Sequence, residues 1–468
     1  MPPDEGHDFI IVSDLHMSSG YDPRVGAFHL QEDFFNDAAF ARFLDNLCER
    51  AGKERRKWRL LILGDLFDFA RVELSSLRTQ DHHDTSEKIT LAKLNRIAAG
   101  HSEFFEALGR FVAEGFQLDL VPGNHDIDLM RPSAQARFKE LVAESCDRPE
   151  VKTGITFHAW IYFVPGVLYA EHGHQYHDIN WWPTLLRPYQ PDNPGTIELP
   201  LAPQFEQYLF NLIKAIDPSA EEVKQPLRYI LRVFKARPVA ALATWREHVR
   251  FASTVSSYLA NLASVELARR RAAYHEEALQ PYAALSGLTY GAVVAIDEVA
   301  AVTAKSIKRR LLGKLLFGPV LRSLPSLGAL AAMYTALRRV PASSGSFVMF
   351  AAGALGLARR EGRFVPSAAR SSTYLRDVPL KVDRVLQAAN QGVPYYVFGH
   401  THIAEQFPVG NSVASYLNSG TWINLVATPD TGRKPFTFVQ ITREPATGTP
   451  IGRLLVWNDA AGRPEPLT

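Results

Sequence analysis

The sequence has little cysteine and no excess of either charge. Its 468 residues include two cysteines, Cys48 and Cys146, which are too few for the disulfide framework of a small secreted protein and fit a reducing compartment. The 51 Lys and Arg residues almost balance the 49 Asp and Glu residues, which leaves a formal charge of +2. Bulk charge therefore does not favour nucleic acid as a partner.

The sequence also lacks recognisable secretory and membrane-spanning segments. The first residues, Met1–Glu5, are acidic where a signal peptide has basic residues followed by an apolar run. The uncharged run of 19 residues at Val340–Ala358 contains Pro341 together with glycines and serines, which makes it a poor membrane span. We therefore expect a cytoplasmic protein. Apolar residues make up 46% of the chain, which is ample for a large core.

Patterns of strands and helices divide the chain into three parts. Short β-rich runs alternate with helical stretches up to residue 178, and strand character returns at Tyr395–Phe398. The intervening chain is rich in Ala, Leu and Arg and has helical periodicity. We expect an α/β core formed by residues 1–178 and 381–468, with a helical insert at residues 179–380.

Local patterns predict individual elements within these parts. In the core, apolar residues near a spacing of 3.6 predict one long helix over Glu87–Ala113, and a later β-rich run predicts a strand at Trp422–Val426. In the insert, the same periodicity predicts helices at Arg246–Arg271 and Ser306–Leu316.

One stretch of the insert is strongly basic. Residues 299–360 contain ten Lys and Arg residues and no Asp or Glu, and apolar runs such as Leu315–Phe317 lie among the basic residues. Basic flanks around apolar faces suit an interfacial helix on anionic lipid, which would make the protein peripherally associated with membranes. One alternative is a helical cap whose apolar faces pack on one another, and another is contact with nucleic acid, which is the least favoured. All three interpretations stay open at this point.

Five polar blocks, each after a predicted strand, carry the candidate chemistry. Loops beyond the carboxyl ends of strands in an α/β sheet converge on one crevice, so the carboxylates, imidazoles and Asn amide of these blocks predict one metal site. Oxygen and nitrogen ligands without thiolate favour Mn, Fe or Zn over Cu(I) or an iron–sulfur cluster. The blocks are Ser13–His16, Gly64–Asp68, Gly123–Asp126, Glu171–His174 and Gly399–His402.

The spacing within the blocks has a physical reason. Asp14 and His16 are two residues apart at a strand end, so their side chains point to the same side and can bind one cation; the same holds for His400 and His402. A glycine precedes a candidate ligand in three blocks, and we expect it to let the backbone turn sharply off the strand without a Cβ clash. These glycines are Gly64, Gly123 and Gly399.

The order of the blocks resembles the calcineurin-like metallophosphoesterase superfamily, whose pattern is D-x-H, G-D, G-N-H-D/E, a later His and G-H-x-H. The similarity covers residues 9–178 and 392–425, including the turn at Asn418–Trp422, and does not extend to the helical insert. The resemblance implies a four-layer α/β-β/α sandwich that holds two divalent metal ions at the edge of its sheets.

The resemblance also assigns roles to individual residues. His125 would be the histidine that lies near the substrate phosphoryl group without binding metal, and Asp126 would orient it. Asp14, His16 and His402 would bind one metal, Asn124, His172 and His400 the second, and Asp65 would bridge both.

Several roles stay open at this point. Spacing does not decide which of His172, His174 and His177 is the ligand; His172 matches the family position, and His174 would then be a substrate contact or a neighbour of the ligands. Asp68 would either orient a ligand or cap the following segment. The pair His82-His83 lies in a polar loop with no strand before it, so we interpret it as part of a solvated active-site rim or of a surface loop.

The function implied by the resemblance is metal-dependent hydrolysis of a phosphodiester or phosphomonoester, with a hydroxide that bridges the two metals as nucleophile. Mn²⁺ is the expected metal, with Fe or Zn as alternatives. The motifs are also similar to the UDP-2,3-diacylglucosamine hydrolase branch, which implies a lipid-linked nucleotide pyrophosphatase as an alternative. A second alternative is a scaffold with the same fold and no catalytic activity.

Overall fold

The structure is a computed structural model that describes residues 6–72, 74, 84–177, 180–190, 193–199, 265–301, 374–423 and 434–467. Two β-sheets pack face to face, and helices cover the outer face of each sheet. This arrangement is the four-layer α/β-β/α sandwich that the family resemblance implies.

The larger sheet joins both ends of the chain. Its seven strands are β1 (Asp8–Val12), β4 (Trp58–Leu63), β5 (Gln117–Val121), β6 (Ile155–Phe157), β14 (Thr437–Arg443), β15 (Pro450–Asn458) and β16 (Arg463–Pro466). Their order is β16-β15-β14-β1-β4-β5-β6. Strands β1, β4, β5 and β6 are parallel, whereas β14, β15 and β16 form an antiparallel extension beside β1.

The smaller sheet is also built from both halves of the chain. Its five strands are β7 (Tyr162–Val164), β8 (Leu168–Glu171), β11 (Tyr395–Phe398), β12 (Glu405–Pro408) and β13 (Ser415–Asn418). Their order is β12-β13-β11-β8-β7, with β8, β11 and β13 parallel. Because β8 pairs directly with β11, the two sequence parts of the core form one folding unit.

Two short hairpins complete the described strands. The first is β2 (Tyr21–Asp22) with β3 (Ala27–Phe28), and the second is β9 (Tyr189–Gln190) with β10 (Asn193–Ile197). The second hairpin lies at the start of the predicted insert.

Helices form the two outer layers because each buries one apolar face. On the larger sheet, α1 buries Phe40, Phe43, Leu44 and Leu47, which recur at helical spacing. The helices on this side are α1 (Asp37–Glu54), α2 (Glu87–Gly100), α3 (Ser102–Ala113) and α4 (Pro132–Cys146). Those on the smaller sheet are α5 (Val265–Ser286), α6 over residues 290–301, and α7 (Val378–Ala388).

Apolar side chains fill the space between the layers. Alternate residues of β1 point to opposite faces, so Ile10 and Val12 pack under the helices while Phe9 and Ile11 face the smaller sheet. The rigid double sheet therefore fixes the strand ends from which the five polar blocks leave.

One local prediction in the core is wrong, and a second is tested only at its first residues. The expected single helix over Glu87–Ala113 is broken at His101, because Gly100 packs against the backbone of Ser19 and Gly20. Trp422 is not in a strand; its ring is buried among aromatic side chains, and residues 424–426 lie outside the described residues.

The described part of the insert is helical where it can be compared with the predictions. Residues 265–271 of the predicted helix Arg246–Arg271 belong to α5, and residues 246–264 and the predicted helix Ser306–Leu316 lie outside the described residues. Of the basic stretch 299–360, only residues 299–301 are described. Among the described residues, no helix is both long and apolar enough to cross a bilayer.

Candidate metal centre

The five polar blocks converge at one edge of the sandwich. Three blocks follow the parallel strands β1, β4 and β5 of the larger sheet, and two follow the parallel strands β8 and β11 of the smaller sheet. The carboxyl ends of both sets of strands meet there. The candidate site thus lies between two sheets, whereas the sequence argument considered the crevice of a single sheet.

The first group of converging ligand atoms comes from Asp14, His16 and His402. The Nε2 atom of His402 lies 3.2 Å from Asp14 Oδ1 and 3.1 Å from His16 Nε2. Asp14 and His16 are buried, and His402 is partly exposed. This is the set that the sequence assigns to one metal.

Hydrogen bonds fix which oxygen of Asp14 faces the other ligands. Its Oδ2 accepts hydrogen bonds from the Ser13 hydroxyl and from the backbone N–H of His400, the latter at 2.9 Å. Its Oδ1 makes no hydrogen bond and points to the two imidazoles. The neighbouring block at His400 therefore positions a ligand of the first group.

The second group contains Asp65, His172 and His400, and a further converging set of His16, Asp65 and His125 overlaps with both groups. The His172 Nδ1–H donates to the Leu63 carbonyl at 2.9 Å, which fixes the tautomer and leaves the lone pair of Nε2 free to bind a cation. That Nε2 lies 3.1 Å from Asp65 Oδ2. Asn124, the fourth predicted member, is 1% exposed at the start of the third block.

Asp65 lies between the two groups. Its Oδ2 is 3.1 Å from His172 Nε2 and 3.6 Å from His16 Nε2, while its Oδ1 accepts the backbone N–H of His125 at 2.9 Å. Burial opposes ionisation, but the neighbouring imidazoles of His172 and His125 hold the pKa of Asp65 well below its usual range. An ionised oxygen shared by both groups suits a bridging ligand.

The polar atoms at the centre fit divalent cations. Asp14 Oδ1, Asn124 Oδ1 and His172 Nε2 are buried and make no hydrogen bond. A buried polar atom without a partner costs about 1–3 kcal/mol, so such groups point to a ligand. The donors are carboxylate, amide and imidazole, which together suit metals such as Mn, Fe and Zn.

Backbone strain is concentrated at the same residues. Five predicted ligands adopt the left-handed region, with φ between 51° and 69°, which non-glycine residues rarely occupy and which clusters at functional sites. Nine non-glycine residues of the described chain have this conformation, so the ligands make up more than half of them. The strained ligands are Asp14, His16, Asp65, His400 and His402.

The glycines of the blocks are needed mainly for space. Gly64 has a positive φ of 86°, as the sharp turn requires, and a Cβ there would overlap the ring of His172. Gly123 and Gly399 do not have a positive φ, and what they provide is the expected absence of a Cβ clash. A Cβ on Gly123 would overlap the Asp65 carboxylate, and one on Gly399 would crowd Ser13 and Asp14.

The carboxylate that orients His125 is Asp68. The His125 Nδ1–H donates to Asp68 Oδ2 at 3.1 Å, and the same oxygen lies 3.0 Å from Arg71 Nε and 3.7 Å from His16 Nδ1. Asp68 is fully buried. Of the two roles left open for Asp68, the structure supports orientation of the site.

The prediction that Asp126 orients His125 is wrong in its choice of partner. The Asp126 oxygens accept backbone N–H groups, Oδ1 from Gly123 at 2.5 Å and Oδ2 from Leu66 at 2.8 Å. Burial and the nearby charge of Asp65 raise the pKa of Asp126 to about 7. Asp126 therefore ties together the two loops that carry Asp65 and Asn124.

His174 and His177 lie beside the second group. His174 is 2% exposed, its two ring nitrogens make no hydrogen bond, and its ring centroid is 5.4 Å from that of His172. His177 Nδ1 lies 3.3 Å from His400 Nε2, and the Asn180 Nδ2 is 2.8 Å from the same His177 atom. The imidazole that converges with Asp65 and His400 is His172, the first choice from the sequence.

The sequence reasoning missed several supporting groups. Glu171 is fully buried before His172, and its carboxylate accepts hydrogen bonds from Trp160 Nε1 and from the hydroxyls of Tyr169 and Tyr176, at 2.7–2.8 Å. No sequence signal marks these contacts, because the donors come from different elements. The pair His82-His83 lies outside the described residues.

A comparison with protein families supports this geometry. The family described as calcineurin-like phosphoesterase matches residues 7–242, which include the first four polar blocks. The match continues into the predicted insert and ends before the fifth block at Gly399–His402. No curated protein matches the chain.

Proposed function

The chain belongs to the calcineurin-like phosphoesterase family, and on this premise we propose that it is a dinuclear metal-dependent phosphoesterase that hydrolyses a phosphodiester or phosphomonoester. The observation that carries the proposal is the position of Asp65 Oδ2 between His16 and His172, one from each group of ligands. Members of this family usually bind two divalent metals, and the two groups account for two sites that share one carboxylate.

The residues divide between the two sites as follows. Asp14, His16 and His402 would hold one cation, Asn124, His172 and His400 the other, and Asp65 would contact both. The bound cations would supply an activated water nucleophile and neutralise the charge that develops on the phosphoryl oxygens. The mixed oxygen and nitrogen ligands support Mn²⁺, with Fe or Zn as alternatives.

His125 acts on the substrate rather than on the metal. Asp68 accepts its Nδ1–H, and Nε2 would donate a proton to the leaving oxygen or stabilise charge in the transition state. Burial opposes ionisation of Asp68, but the neighbouring His125 and Arg71 hold the pKa of the Asp68 carboxyl well below its usual range, so the acceptor that orients the ring is ionised. Arg71 Nε, 3.0 Å from the same carboxylate, helps keep Asp68 in place.

The main test uses metal removal and a chromogenic diester. Protein treated with EDTA should lose activity on bis-p-nitrophenyl phosphate, and Mn²⁺ should restore it, because the hydrolysis depends on the cations. Activity that does not respond to metal removal would contradict the proposal. The control is protein carried through the same treatment without EDTA.

A lipid-linked nucleotide pyrophosphatase is the second candidate. Two observations favour it: the motif similarity to the UDP-2,3-diacylglucosamine hydrolase branch and the basic, acid-free stretch 299–360. We propose that this stretch contacts anionic lipid and places a cytoplasmic protein at the membrane surface. A panel of one lipid pyrophosphate, one cyclic nucleotide, one nucleic acid and one monoester separates the candidates by relative kcat/KM.

A scaffold without catalysis is the remaining candidate. It predicts an empty metal site and no turnover of any member of the panel. Metal analysis of the purified protein therefore separates the scaffold from both enzymes.

A further inference from the structure

Lys93 is a buried lysine beside the candidate site. It lies in the middle of α2 on the face that also buries Ile89 and Ile97, and the residue is only 4% exposed. Burial lowers the pKa of Lys93, while nearby carboxylates, with Asp128 the strongest, oppose this shift. Because placing an ammonium group in a core is costly, a lysine at this position calls for a specific role.

The ammonium group contacts the backbone that follows Asp68. Lys93 Nζ donates a hydrogen bond to the Phe69 carbonyl at 2.8 Å. The N–H of the same Phe69 residue donates to the His125 carbonyl at 3.3 Å. Phe69 thus connects α2 to the backbone of His125. It also follows Asp68 directly in the chain, and Asp68 is the residue whose carboxylate accepts the hydrogen bond from the His125 ring.

Lys93 also faces the same space as the residues of the site. A small cavity is lined by Lys93, Asn124 and His125 together with Phe69 and Asp128. Asp128 is held in turn by the Thr90 hydroxyl of α2, at 2.6 Å. Helix α2 therefore supports the wall of the site through two neighbouring polar contacts.

We propose that Lys93 is a positioning residue for His125: by holding the Phe69 carbonyl it keeps Asp68 where its carboxylate orients the imidazole toward the phosphoryl group. This inference rests on the proposed phosphoesterase function. Lys93 acts through the Asp68–His125 pair and contributes no ligand to either metal.

The test is a double-mutant cycle between Lys93 and His125. We expect Lys93→Met to lower kcat on bis-p-nitrophenyl phosphate about 10- to 100-fold, with KM and metal content unchanged, since a small misplacement of a catalytic group costs about that much. In a His125→Ala background, Lys93→Met should change kcat less than about 2-fold, because the imidazole that Lys93 positions is absent. Lys88→Met is the matched control, since Lys88 is an exposed lysine of the same helix.

Other outcomes overturn the proposal. An equal loss in both backgrounds assigns Lys93 a structural role independent of His125, and an unchanged kcat in Lys93→Met removes the role altogether. If Lys93→Met does not fold, Lys93→Gln, which also removes the ammonium group that holds the Phe69 carbonyl, is put through the same cycle with the same expected result. Absence of metal-dependent hydrolysis in the wild-type protein refutes the proposed function and not the Lys93 contact.

Discussion

At the scale of single residues, the Asp68–His125 pair makes the most specific claim. Asp68→Asn removes the charged acceptor at 3.1 Å and should lower kcat about 100-fold, a typical loss when a proton-transferring histidine is no longer oriented. Metal content should stay at the wild-type value, because Asp68 is not assigned as a ligand. Steady-state kinetics of the purified variant measure the loss of kcat. Asp45→Asn is the control, since Asp45 is an exposed carboxylate on α1.

The outcome that contradicts this claim is a loss of metal without a specific loss of kcat. Such a result would place Asp68 among the metal ligands through its 3.7 Å approach to His16.

A second residue-scale prediction concerns Gly123. A Cβ at this position would overlap the Asp65 carboxylate, so Gly123→Ala must move the proposed bridging ligand. We expect a loss of bound metal and at least a 10-fold loss of activity, because shifting one shared ligand affects both sites. Gly52→Ala is the control, since a Cβ on Gly52 meets no atom within 4 Å. Wild-type metal content in Gly123→Ala would show that the carboxylate has room to shift.

The sequence is informative about ligands and much less so about their partners. Asp14 and His402 are recognisable because residue type, spacing and position after a strand are all local properties. The partner of His125 cannot be recognised in this way, because Asp68 and Asp126 are both carboxylates close to the motifs. Only the folded loops decide which of them accepts the hydrogen bond from the His125 ring. Lys93 carries no signal at all, since an isolated lysine in a helix is usually solvent-exposed.

At the scale of elements, the junction of α2 and α3 shows how a helix prediction fails. Apolar spacing continues through Gly100 and His101, but the close approach of Gly20 to Gly100 and the contacts of the His101 ring outweigh helical continuity. The ring lies 3.0 Å from Asp37 and 3.2 Å from Glu32. Glu32 also accepts the N–H groups of Ser18 and Gly20, which follow the ligand His16 in the chain.

This junction predicts a pH dependence of stability. Burial lowers the pKa of His101, but its hydrogen bonds to Asp37 and Glu32 outweigh burial and raise the pKa to about 9. A raised folded-state pKa means that the charged imidazole stabilises the fold fully below about pH 6.5, and that this contribution is lost as the pH rises through 9. The contribution amounts to about 3 kcal/mol at most.

The variant His101→Gln isolates the effect. Urea unfolding of metal-loaded protein should show the wild type more stable than the variant at pH 6, with the difference shrinking by up to about 3 kcal/mol toward pH 9.5. Other titrating groups are present in both proteins and cancel in the difference. A difference that stays constant across this range would show that His101 is neutral in the folded protein.

At the scale of the whole molecule, the two distant parts of the chain together form the core and the candidate site. β8 from the first part pairs with β11 from the second, and β1 pairs with β14, so the last two ligands reach the site only when the core is assembled. The α/β class and the split core could be predicted because strand signals flank a long helical stretch. The division into two facing sheets could not be read from strand patterns alone, and it came from the family resemblance.

The basic stretch 299–360 predicts the behaviour of the whole protein on membranes. Binding to vesicles with phosphatidylserine should exceed binding to pure phosphatidylcholine vesicles and should weaken between 50 and about 300 mM salt, as counterions screen the basic residues. Flotation measures the bound fraction. Replacing Lys308, Arg309 and Arg310 by Gln should reduce it, whereas Arg269→Gln/Arg270→Gln, on the exposed side of α5, should not. Equal binding to both lipid compositions would exclude the electrostatic contact.

The central claim is that two cations share Asp65, and metal stoichiometry tests it most directly. Mass spectrometric analysis of protein reconstituted with Mn²⁺ should give two metals per chain for the wild type. Asp65→Asn should lose metal from both sites, because the shared carboxylate contacts both groups. The same variant should lose metal-dependent hydrolysis. His402→Ala should lose metal from its own site first. A wild-type protein that binds no Mn²⁺, or an Asp65→Asn variant that keeps both metals, would contradict the account.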